Sequence, residues 1–248
     1  MKVAVIPPIA HKELSLLGDI VFLLAHELKD NGEAIDFYSK VEKYKMLDNG
    51  AFELKRSISW DDVLDVAREA RVNEVVLPDF PYEHPRKTID ASMEALSVVS
   101  DSERKQFKFM FVPHGRTPSE YLACFRIGVR LDVDVIGFSI IDLWKESVRL
   151  RPFIVQLLHS CGELTDEKEY HLLGLDDVSE LLLYRGINIR SVDTSLPFTV
   201  AGHDKILQPF QPKFERVEKL LPHQIELAKM NVQILKSFAS GEAECYFV

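Results

Sequence analysis

Two short strings in the sequence end an apolar run on a carboxylate and follow it at once with turn-forming residues. They are Leu47-Asp48-Asn49-Gly50-Ala51-Phe52-Glu53 and Ser191-Val192-Asp193-Thr194-Ser195-Leu196-Pro197. A (β/α) barrel presents its catalytic groups in this way, at the carboxyl ends of its strands. Two such carboxylates suit a nucleophile and an acid/base for breaking a glycosidic bond. Pro78-Asp79 repeats the pattern, and Val112-Pro113-His114-Gly115 delivers an imidazole from the same kind of turn. Any one of these Asp residues alone reads more readily as a solvated surface group. Asp48, Asp79 and Asp193 together point to a site, although fold-level placement does not name its substrate.

The elements that must position these groups alternate. The pattern predicts strands at residues 3–6, 44–47, 74–77, 107–112, 134–136, 170–173 and 187–192. It predicts helices at 14–28, 60–70, 86–99, 119–131, 143–160 and 178–184. Short apolar strands between amphipathic helices predict an α/β fold, a (β/α)8 TIM-like barrel. The count is about seven strand–helix units, one short of closure. The missing strand is expected between residues 201 and 208. On this count Asp48, Asp79, His114, Gly137, Gly174 and Asp193 follow the second to seventh strands at one rim. A doubly wound open sheet is the competing fold. Residues 197–212 read as an elaborated barrel loop, and no linker or composition break divides the chain. One domain over residues 1–248 is therefore expected, with a C-terminal helix at about 214–239.

The 248 residues are 46% hydrophobic and 28% charged, enough for a large core. No run of about 18 apolar residues suggests a membrane span. The amino terminus reads as a strand and turn without the apolar region of a signal peptide, so a cytoplasmic protein is expected, in the host cytoplasm if viral. Cys124, Cys161 and Cys245 are widely spaced and read as reduced structural thiols. No Cys/His spacing fits zinc, and neither a metal nor a cofactor is expected. The formal charge of −9 argues against a generally basic coat protein but leaves room for a local basic groove. Gly-rich nucleotide loops, a Gly-x-Ser-x-Gly elbow and HExxH are absent. Gly137-Phe138-Ser139 offers backbone amides or simply a turn.

In their order these segments resemble the tRNA-guanine transglycosylases and the phage-type DNA transglycosylases that insert 7-deazaguanines. Asp48-Asn49-Gly50-Ala51-Phe52-Glu53 resembles the family's Asp-Ser-Gly-Gly-Phe-Gln, and Pro78-Asp79 occupies the place of a base-reading Asp. Val112-Pro113-His114-Gly115 resembles Val-Gln-Gly, and Ile136-Gly137-Phe138-Ser139 resembles Ile-Gly-Gly-Leu. His171-Leu172-Leu173-Gly174 resembles Tyr-Leu-Met-Gly, and Val192-Asp193-Thr194-Ser195-Leu196-Pro197 resembles Phe-Asp-Cys-Val-x-Pro. The resemblance covers residues 40–200.

The resemblance implies Asp193 as the nucleophile at C1′ of a guanosine-type nucleotide and Asp48 as the general acid/base. It implies that Asp79 reads the amino and ring N–H groups of the base. His114 and the backbone at Gly137 and Phe138 would hold the carbonyl edge, and Phe52 and Leu173, beside Gly174, would sandwich the ring. Phe52 reads equally as core, and for Leu173 core packing is the favoured reading. The family's zinc subdomain is absent, Thr194 replaces its Cys, and His114 replaces its Gln. A compact barrel of this kind is more similar to the DNA-modifying branch. DNA is thus the expected polymer, tRNA the alternative, and a free preQ0-like 7-deazaguanine the co-substrate. A non-catalytic nucleic-acid-binding barrel is the contrasting reading, against which both carboxylates speak. Arg185, Arg190, Lys205 and Lys213, with Arg216 and Lys219, either line a groove beside Asp193 or form a solvated face. Lys43, Lys45, Lys55 and Arg56 flank the Asp48 loop as further candidates.

Overall fold

In the computed structural model, which describes residues 1–81, 83–140 and 150–243, short apolar runs become the wall of a barrel. The strands are β1 (Lys2–Val5), β2 (Ile20–Leu24), β3 (Lys45–Asp48), β4 (Glu74–Val76), β5 (Lys108–Phe111), β6 (Val135–Ser139), β7 (Glu169–Leu173) and β8 (Ser191–Thr194). They close in chain order into an eight-stranded barrel. Every registered pair is parallel, with Ala4 opposite both Ile20 and Asp193, Met46 opposite Glu74 and Met110 opposite Val135. Parallel strands need long crossovers, and helices between the strands supply them. The protein is a TIM-type α/β barrel, as the alternation of the sequence predicts, and the open doubly wound sheet is excluded. Among the described residues, no helix is long and apolar enough to cross a membrane.

The chain divides into two compact units, one running Met1–Phe22 and resuming at Leu172, the other Leu23–His171. In the first, Asp19 fastens the turn into β2 by accepting the Val3 N–H (2.9 Å) and donating its own N–H to the Val3 carbonyl (2.7 Å). Lys236, on the helix Pro222–Ser240, pairs with Asp19 at 2.7 Å. Asn231 of the same helix is fully buried and ties down the irregular stretch before it. It accepts from Leu207 N–H and donates to the Pro197 and Lys205 carbonyls.

In the second unit, Phe138 stacks between Phe125 and Tyr170, fixing the helix Pro118–Gly128 on β6 and β7. Ser59, Thr117 and Ser100 cap their helices through hydroxyl oxygens that accept backbone N–H groups. Ser100 and Glu103 complete a capping box, and Glu103 also accepts Arg68 Nε at 3.1 Å. The Ser100 hydroxyl, helped by the Ser100 N–H and the Arg68 guanidinium, holds the Glu103 carboxyl below its ordinary value against the opposing effect of burial. A depressed carboxyl contributes stability above its ordinary pKa, and that stability is lost as pH falls through the folded value. Glu103→Gln is therefore expected to lower the melting temperature at neutral pH by about 2–4 °C. Calorimetry at descending pH should show the gap to wild type closing below pH 4.5.

The structure corrects several expectations. Residues 14–28 are not one helix: a 3-10 segment Ile9–Leu17 is followed by β2 and a single helical turn, Ala25–Leu28. Ile20-Val21-Phe22-Leu23-Leu24 is buried at every position, so no alternation distinguishes a strand from a buried helix. The site residues consequently follow the third to eighth strands. No eighth strand forms at 201–208; β8 is the Asp193 strand itself. Pro197 instead sits in the first turn of a helix, Leu196–Gly202, inside the stretch expected to be loop. The last helix starts at Pro222 rather than 214, again with proline in its first turn. The strand expected at 187–192 instead runs Ser191–Thr194, starting later and ending two residues further on. Of the helix expected at 143–160, Leu150–Ser160 is helical and 143–149 lie outside the described residues, as does Cys245.

Candidate active site

Asp48 is the last residue of β3, and the turn that follows is built around it. Gly50 donates its N–H to Asp48 Oδ2 at 2.9 Å, with a φ of 82° that disfavours a side chain. A Cβ there would also lie 2.8 Å from His26 Nδ1. Asn49, 0% exposed, donates through Nδ2 to the Leu77 carbonyl (2.7 Å) and to Asp79 Oδ1 (2.6 Å), and accepts the Ala51 N–H at Oδ1 (2.8 Å). Asp79 lies beyond β4 and is 6% exposed, and its Oδ2 meets Nε2 of the fully buried His114 at 2.5 Å. Because an ionised carboxylate only accepts, His114 carries its proton on Nε2 whenever Asp79 is charged. The side chains of Asn49, Asp79 and His114 thus form one buried chain of hydrogen bonds at the carboxyl ends of β3, β4 and β5.

Phe52 and Leu54 face outward on the short helix Ala51–Leu54, with Phe52 49% exposed. Lys55 Nζ lies 5.4 Å from the Phe52 ring centroid. Phe52 is accordingly available to a ligand rather than buried as core. Phe138 is core: both faces of its ring are stacked, and its carbonyl accepts Arg151 Nη1 at 3.1 Å. Gly137 lies within β6, and Leu173 ends β7 half-buried.

In the other unit Asp193 stands third in the four-residue β8 and is 4% exposed. Its Oδ1 accepts the N–H of Gly174, whose φ of 75° turns the chain just beyond β7. Thr194 Oγ1 donates to the Leu175 carbonyl and accepts the Leu196 N–H, both at 2.9 Å. A buried carboxylate is thereby held on a rigid strand with one oxygen anchored by a backbone amide. No family model and no curated protein matches the chain.

The basic residues separate. Arg185 Nη2 donates to the Gly241 and Ala243 carbonyls at the end of the helix Pro222–Ser240. Arg190 precedes β8, so it sits at the amino end of the strand whose other end carries Asp193. Its carbonyl accepts the Lys2 N–H and its Nε bonds Ser191 Oγ. Lys213 is ion-paired with Asp176, and Lys205 is exposed. Lys45 opens β3, opposite Asp48 along the strand, and its buried ammonium donates to the Tyr38 and Val41 carbonyls. Burial lowers its pKa, and Arg71 adds to the shift. Lys55 and Arg56, both exposed, remain next to the Asp48 turn.

Asn49, Ser139 and His171 are buried polar residues that the sequence did not single out. Asn49 was signalled by the Asp-Asn-Gly turn, since a short amide side chain readily bonds the backbone two residues on. His171 was signalled as a polar residue in the apolar run of β7. Among the described residues no group of His, Cys, Asp or Glu is arranged to hold a metal ion.

Proposed function

We propose that the protein is a pentosyltransferase that exchanges guanine in DNA for a preQ0-like 7-deazaguanine. The observation that carries this reading is Asp193, a buried carboxylate at a strand's carboxyl end with Oδ1 anchored by the Gly174 N–H. An anchored carboxylate loses little orientation on attack, which is what a covalent glycosyl step asks of its nucleophile.

In the proposed reaction an Asp193 oxygen attacks C1′ as the bond from C1′ to guanine N9 breaks, and its electron pair leaves with the base. Asp48 supplies the proton that the departing purine takes up. The incoming 7-deazaguanine then gives its ring proton to Asp48 and attacks C1′ through nitrogen, and the ester oxygen returns to Asp193 as carboxylate. C1′ is inverted at each of the two displacements, so the sugar keeps its configuration. Exposed Phe52 is suited to stack on a base that has left the helix.

The test is incubation of the purified protein with guanine-labelled DNA or tRNA plus preQ0, followed by nucleoside mass spectrometry. A deazapurine deoxynucleoside is the expected product. Modification of tRNA alone would reassign the polymer, and no exchange on either would overturn the reading. Asp48→Asn is expected to slow exchange by about 10²–10⁴-fold, the usual share of a general acid/base. Single-turnover kinetics check this, with DNA retention on a filter showing that binding persists.

A further inference from the structure

We propose that Asn49, Asp79 and His114 are a positioning relay that fixes the Asp48 turn, and that Asp79 and His114 do not read the base. The inference rests on the transglycosylase reading only for what Asp48 does chemically. A residue that reads a base must offer its acceptors to the ligand. Both oxygens of Asp79 are already engaged, Oδ1 by Asn49 at 2.6 Å and Oδ2 by His114 at 2.5 Å. His114 and Asn49 are fully buried, and Asp79 is nearly so.

The bonds lead in one direction. The Asn49 side chain applies both of its amide hydrogens and its oxygen to its neighbours, Leu77, Asp79 and Ala51. Its backbone carbonyl accepts the Ile58 N–H, which closes the loop beyond the turn. The next residue, Gly50, donates to Asp48 Oδ2. Hydrogen bonds therefore lead from His114 through Asp79 to the Asn49 side chain, and the backbone from Asn49 to Gly50 carries the constraint on to the amide that holds the Asp48 carboxylate. In a buried network, removing one partner leaves the others unsatisfied, so a change at His114 is transmitted to the turn.

A charge swap tests the relay. Asn49→Asp alone sets two carboxylates against each other, whereas Asn49→Asp with Asp79→Asn restores a donor facing an acceptor at that contact while the Leu77 carbonyl still loses the Asn49 amide. In the swapped pair the new amide at 79 still accepts His114 Nε2–H. The readouts are hydrogen–deuterium exchange of the Gly50 and Ala51 amides and the separate values of kcat and KM. His114→Phe serves as a second variant should Asn49→Asp fail to fold.

Asn49→Asp and His114→Phe are expected to speed amide exchange at Gly50 and Ala51 by about tenfold or more. They should lower kcat about 10²-fold, the scale of an ångström of misplacement, with KM for the free base almost unmoved. The swap should recover part of both losses, those that come from the contact between positions 49 and 79. Unchanged amide exchange in the single variants, a swap without recovery, or a raised KM at constant kcat would each overturn the relay. If wild type exchanges no base while the amides respond as expected, the relay stands and the transglycosylase reading falls.

Discussion

Asp193→Asn is expected to remove base exchange, by on the order of 10⁶-fold in kcat, the scale seen when a catalytic unit loses its nucleophile. The amide matches the carboxylate in size and keeps an oxygen to accept the Gly174 N–H, 3.0 Å away in the wild type. β8 should therefore hold its register with β1, where Asp193 faces Ala4. What the amide lacks is an oxygen able to form and release the glycosyl ester. Intact-mass spectrometry after quenching with guanine-containing DNA, without free base, should find a covalent adduct on wild type and none on the variant. Melting curves of the two should nearly coincide. Asp193→Ala is the harsher change: it strands the Gly174 N–H, at a cost of about 1–3 kcal/mol. An Asn variant that turns over at near wild-type rate would remove Asp193 from the nucleophile's role.

The barrel was legible because most of its strands are short apolar runs bounded by turn residues. β4 and β5, with the helices Trp60–Glu69, Pro85–Val98 and Pro118–Gly128, lie within a few residues of their expected positions. β2 was not legible. Its five residues are all buried, and a run without polar punctuation carries no period to read. Asp19, which pairs the turn with Val3, gives no pattern of its own.

At the site, the strand-to-turn carboxylates Asp48 and Asp193 were legible because local chemistry places them. The partners of Asp79 were not, since they come from residues 30 and 35 positions away in the sequence. Nor does a list of cations reveal which ones the fold itself employs. Arg185 satisfies carbonyls at a helix end and Lys45 satisfies others beneath the barrel, each supplying donors to acceptors that burial would otherwise leave unmet.

Gly115→Ala is expected to be the most destabilising single-methyl change near the site. A Cβ at this position would meet the Tyr121 backbone nitrogen and lie 2.7 Å from Tyr121 Cα and 2.8 Å from the Glu120 carbonyl carbon. These are backbone atoms, so no side-chain rotation relieves the clash. Tyr121 is 2% exposed and its N–H donates to the Thr117 carbonyl at 3.0 Å. Glu120 in turn donates its N–H to Thr117 Oγ1, the cap of the helix Pro118–Gly128. Moving that first turn away would break the cap, and moving residue 115 away would drag His114 off Asp79. Either relaxation loses contacts already made, and overpacking of this kind costs about 3 kcal/mol. For a chain of this size that corresponds to a fall of about 6–12 °C in melting temperature. Gly32→Ala is the matched control, because a Cβ there meets nothing within 4 Å and the residue begins the helix Gly32–Ser39. It should leave the melting temperature unchanged or raise it slightly, by about 0.4–1 kcal/mol of stability. Calorimetry of both variants decides the matter: equal melting temperatures would mean that the turn behind His114 yields freely, and the tight seating of the imidazole would lose its steric cause.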